Sequence, residues 1–83
     1  MNYREIRKDE VAIAHYDQWI KDNPDKADAM GKLSADLEVI VETIAVFHRM
    51  GLAPFIKDEA ERSINQTLEK MEALGYKFLL KEE

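Results

Sequence analysis

An unbroken apolar seam between Met30 and Phe47 constrains this chain more than any other feature. Met30, Leu33, Leu37, Ile40, Ile44 and Phe47 follow one another at steps of 3, 4, 3, 4 and 3. That spacing keeps one face of an α-helix apolar. It predicts a helix over 24–50, about 40 Å long at 1.5 Å per residue. Val39, Val46 and Met50 form a second stripe beside the seam, and Val41 and Ala45 lie on its other flank. From Leu37 onward the helix is apolar around much of its circumference, more than one neighbouring helix covers.

The elements on either side follow from the same periodicity. Ile6, Ile13 and Ile20 recur every seven residues, and Ala12, Tyr16 and Trp19 widen that stripe, so a first helix is expected over 3–22. Its first turns are charge-rich and weakly capped, which lets residues 1–8 fray or act as an arm. It stops at Asp22-Asn23-Pro24, where proline disfavours an α conformation at Asn23 and frees that side chain to cap the second helix. Gly51 is placed to end the second helix in a left-handed conformation with Leu52 returning onto Phe47, and Pro54 blocks continuation. A third helix over 54–74 starts at Pro54 or at the Asp58-Glu59-Ala60-Glu61 capping box, and Gly75 ends it. The apolar tail 76–83 reads as an extra turn, a short strand or a docking segment. The expected fold is all-α: a three-helix antiparallel bundle with a long central helix, forming a single helical domain over 1–83 and able to dimerise into a larger bundle.

Composition removes several function classes. The chain has 83 residues, which leaves room for one core. Twelve Lys and Arg against seventeen Asp and Glu give a net charge of −5, opposite to what phosphate binding requires. The helix-turn-helix reading of residues 57–74 fails for the same reason, since Lys57, Arg62 and Lys70 are outnumbered by Asp58, Glu59, Glu61, Glu69 and Glu72. With no cysteine there is neither a thiolate nucleophile nor a thiolate metal site. No apolar run reaches a membrane span, so a cytoplasmic protein without membrane or nucleic-acid partners is the expectation.

Catalytic groups are equally sparse. Ser34 and Ser63 lie within helices, away from any strained turn that presents an activated hydroxyl. His15 and His48 have no ligand-type residue one turn away, and His48 fits a helix C-terminus, where its proton complements the dipole. Glu38 and Glu42 are one turn apart and could hold a hard cation only with oxygens from elsewhere, so with Asp36 they read as a solvated face. No enzyme, cofactor or metal is expected.

What remains is binding through surface. Val39, Val46 and Met50 are the expected oligomer interface, because two neighbours cannot cover the second helix from every side and a homodimer can. Tyr16, Trp19, Tyr76 and Phe78 are the expected contacts with a protein partner, being of the types enriched at binding hot spots. Arg4, Arg7, Lys8 and Arg49 are the cations available to hold phosphates at an oligomer interface.

Tyr3-Arg4-Glu5-Ile6-Arg7, Asn23-Pro24-Asp25, Lys32-Leu33 and Leu37-Glu38 resemble the helical-hairpin family of phage anti-defence proteins that sequester cyclic nucleotides. The resemblance covers residues 3 to about 50, and the third helix has no counterpart in it. In type, the short acidic chain is also similar to other small phage inhibitors, including anti-CRISPR proteins. Missing catalytic groups and surplus apolar surface favour a non-enzymatic binder that inhibits or regulates a larger macromolecule. The alternatives are a nucleotide sponge and a structural assembly subunit.

Overall fold

The computed structural model describes residues 2–81; Met1 and the last two residues of the expected tail, Glu82 and Glu83, lie outside the described residues. Among the described residues three helices carry the fold: α1 (Glu10–Asp22), α2 (Ala27–Arg49) and α3 (Ala53–Ala73). A 3-10 turn at Tyr3–Glu5 precedes them. The all-α class and the long central helix are as the seam predicts, while the boundaries of α1 and α2 differ. No helix among the described residues is long and apolar enough to cross a membrane.

Residues 3–9 do not extend α1, contrary to the expected helix over 3–22. Asp9 caps the helix instead: its backbone is extended and its carboxylate accepts the Ala12 amide at 3.1 Å. Arg7 donates to the same carboxylate from Nε at 3.1 Å and from Nη2 at 2.6 Å. The seven-residue recurrence of isoleucine is therefore not one helical face. Ile6 is buried on an extended segment, whereas Ile13 is 58% exposed on α1.

The hydrogen bond from Arg7, then that from the Ala12 amide, hold the Asp9 carboxyl below the usual carboxylate range. A group with a depressed folded pKa contributes stability only while ionised, and that contribution is lost as pH falls through the lowered value. Asp9→Ala should lower the thermal midpoint by about 5 °C near neutrality. Thermal melts in strong acid should show the two proteins converging. A gap that persists there would mean the carboxylate is not its source.

The second helix starts at Ala27, not Pro24, because Asn23 closes α1 and does not open α2. Its Nδ2 donates to the Trp19 carbonyl at 2.8 Å, and its own carbonyl accepts the Lys26 amide at 3.0 Å across the turn at 24–26. The other end of α2 follows the expectation. Gly51 has φ +73°, its amide donates to the His48 carbonyl, and the Leu52 amide donates to the Phe47 carbonyl at 2.8 Å, which is a Schellman closure. Helix α3 begins before Asp58, with Pro54 in its first turn, so the alternative start at the acidic capping box is not used.

The core gathers at one end of the α2–α3 hairpin. In α3 the buried residues are Ile64, Thr67, Leu68 and Met71, all in its C-terminal half, and in α2 the one fully enclosed residue is Met30, near the N-terminus. Ile6 and Tyr76 complete the cluster. The tail closes this end as a paired extended segment: Ile6 and Leu80 form an antiparallel bridge, Arg7 N–H donates to the Leu79 carbonyl and Lys81 N–H to that of Glu5, both at 2.8 Å. With residues 3–8 drawn into that pairing, α1 keeps 13 residues against 23 in α2. That is about 20 Å against about 35 Å. The distal half of α2 is left without a cover from α1.

Candidate functional site

At the core end, the aromatic residues expected to meet a partner meet each other. Tyr76 is 6% exposed. Its ring centroid lies 5.4 Å from His15, 5.7 Å from Tyr16, 5.6 Å from Trp19 and 4.8 Å from Phe78, the last two at close to right angles. Edge-to-face packing of this kind is favourable because each positive ring edge meets a negative face. The Tyr16 hydroxyl is hydrogen-bonded to Ser34 Oγ at 2.8 Å, and His15 donates from Nε2 to the Lys77 carbonyl at 2.7 Å. Burial, then the neighbouring Tyr16, push the Tyr76 phenol above its ordinary pKa. Tyr76 thus belongs to the interior, and Tyr16, Trp19 and Phe78 are half-buried around it. The expectation of Tyr76 as a partner contact is corrected accordingly: it is buried and holds the tail against α1, while Phe78 packs on its ring and stays half-buried.

At the distal end the opposite holds. Val39 is 62% exposed, Val46 42%, Met50 64% and Phe55 79%. The first three are the stripe expected as an oligomer interface, and they run down one side of α2 toward the Gly51 turn. Phe55 stands just past that turn, in the first turns of α3. Solitary exposed apolar side chains are ordinary, but several large ones on adjoining turns mark a contact surface. On another side of the same end, a cleft of about 860 Å³ opens between the 3-10 turn and the distal halves of α2 and α3. Val41, Ile44 and Ile64 line it, and Arg4, His48 and Lys57 stand at its edge.

The four cations expected to hold phosphates do not come together as a set: Arg7 and Lys8 line one shallow depression with Asp9 and Lys81, and Arg4 and Arg49 lie elsewhere. Arg7 is held by Asp9. Lys8 Nζ donates to the carbonyls of Tyr3 and Ile6, both at 3.0 Å, and sits 4.2 Å above the Tyr3 ring. Burial, and secondarily Lys81, lower the Lys8 pKa. Arg4 borders the cleft, while Arg49 ends α2 on the exposed side. Among the described residues no three His, Asp or Glu side chains gather as a metal-ligand set. Comparison with protein-family models, curated proteins and solved structures finds no match.

Sequence reasoning reached the Val39, Val46 and Met50 stripe through its surplus of apolar circumference. It did not reach the cleft, because the isoleucine periodicity extends α1 through the 3-10 turn that forms one wall. The signal was Asp9 itself, an N-cap residue type three positions before Ala12 and preceded by three cations among five residues.

Proposed function

We propose that this protein acts without catalysis, by docking the exposed side of α2 and the adjoining Phe55 onto another protein surface and so inhibiting or regulating it. The observation that carries this reading is the 42–79% exposure of Val39, Val46, Met50 and Phe55 along the distal half of α2 and the first turns of α3. Burying such residues is favourable at about 25 cal/mol per Å² of apolar surface removed from water. Their placement on one helix and the next turn gives a rigid, preformed patch, which lowers the ordering cost of binding.

Photo-crosslinking in the cell of origin tests this. A photoreactive residue at Met50 or Phe55 should yield an adduct of defined mass, and one at Glu69, on the outer face of α3, should yield none. Val46→Glu should remove the adduct from the first two positions. Equal labelling at all three, or no adduct at any, would overturn the reading.

A further inference from the structure

We infer that the exposed stripe of α2 pairs with the same stripe of a second copy of this chain, antiparallel, about a two-fold axis beside Val46. The inference rests on the docking reading and names the occupant of that surface in the free protein, a second copy that the regulated partner displaces. On a helix of 3.6 residues per turn, Val39, Thr43, Val46 and Met50 fall close to one line. One flank of that line belongs to α3: Asp36, Val39 and Ile40 share a shallow depression with Ser63, Thr67 and Lys70. The other flank carries Glu42 and Arg49, two turns apart on the same side and both exposed. Neither has an ion pair among the described residues.

Charge complementarity selects the arrangement. When two copies of α2 run antiparallel with the axis between Ala45 and Val46, each Arg49 stands level with Glu42 of the second copy, on the same flank. The two ion pairs are reciprocal, as an isologous contact requires. The apolar line interleaves in the same register: Met50 of the second copy falls between Val39 and Thr43, and the two Val46 side chains meet at the axis. A parallel pairing loses both features. It sets Arg49 against the Phe47 and Met50 flank and brings Asp36 up to Glu38, acid against acid. One helix face is smaller than the roughly 800 Å² per partner of a standard interface, so the dimer is concentration-dependent.

Sedimentation equilibrium of the full chain across the micromolar range decides it. The expected mass rises with concentration from 9.6 kDa toward twice that value. Val46→Glu should hold it at the monomer. Glu42→Arg and Arg49→Glu should each weaken association about tenfold, because each turns two ion pairs into like-charge contacts. The double variant with both exchanges should recover to within about threefold of the original, since opposite charges again face each other. These residues are exposed, and unchanged helical circular dichroism confirms that each variant folds. A 9.6 kDa mass at every concentration overturns the inference. So does a double variant as weak as either single one. A monomer that still crosslinks through Met50 or Phe55 to a different protein overturns only the second copy as occupant; absence of adducts of any mass overturns the docking reading as well.

Discussion

Tyr76→Ala should cost about 3–5 kcal/mol of unfolding free energy and erase most of the near-ultraviolet circular dichroism. A chain of this length holds on the order of 4–12 kcal/mol in total, so the variant should be largely unfolded at moderate temperature. The size of the effect comes from position. Four rings, those of His15, Tyr16, Trp19 and Phe78, lie within 5.7 Å of the Tyr76 centroid, and removing their common neighbour leaves a cavity that cannot close without moving α1. It also releases the tail, since Phe78 packs on the Tyr76 ring and Leu80 bridges to Ile6. Tyr76→Phe keeps the ring contacts and should stay within about 1 kcal/mol of the original. The original protein and its Tyr76→Phe variant also differ with pH. Burial raises the folded pKa of the Tyr76 phenol, so its contribution is complete below the ordinary tyrosine range and is lost as pH rises through the raised value. Tyr76→Phe should therefore soften the alkaline loss of stability, without removing the part due to Tyr3, which burial shifts in the same direction. Urea unfolding followed by Trp19 fluorescence measures all of this. A cost below about 1 kcal/mol for the alanine variant would mean that the tail is not part of the core.

The second large effect is expected at Met30. Met30→Ala should cost about 2–5 kcal/mol, while Val39→Ala on the same helix should stay within about 0.5 kcal/mol. Met30 is 0% exposed and packs into the cluster of Leu68, Met71 and Tyr76, whereas Val39 is 62% exposed. The two truncations differ by one heavy atom, so most of the contrast comes from burial. Equal midpoint shifts in parallel urea titrations would contradict a core gathered at one end.

The helix stops were legible because they depend on one or two residues each. Gly51 and Gly75 take φ of +73° and +100°, a region that costs other residues energy, and Pro54 cannot donate a helical hydrogen bond. The start of α1 was not legible. Ile6 lies seven residues before Ile13, and periodicity alone cannot distinguish a residue on a helical face from one buried by a distant strand-like partner. That partner is Leu80, which lies at the other end of the chain. Asn23 shows the same limit on a smaller scale, since its side chain can cap the helix after it or close the helix before it, and the choice is made by the turn at 24–26. For the candidate site, the stripe of Val39, Val46 and Met50 was visible as apolar surplus. The interior role of Tyr76 was not, because hot-spot residue types and core residue types are the same types.

Local chemistry alone thus determined that this chain is helical, where α2 and α3 end, and that α2 has more apolar circumference than its neighbours can cover. Only the tertiary structure decided which part of that circumference stays bare. The reason is the pairing of residues 5–7 with residues 79–81, which shortens α1 and gathers the buried side chains at one end. Such contacts between the two ends of a chain have no periodic trace in its sequence.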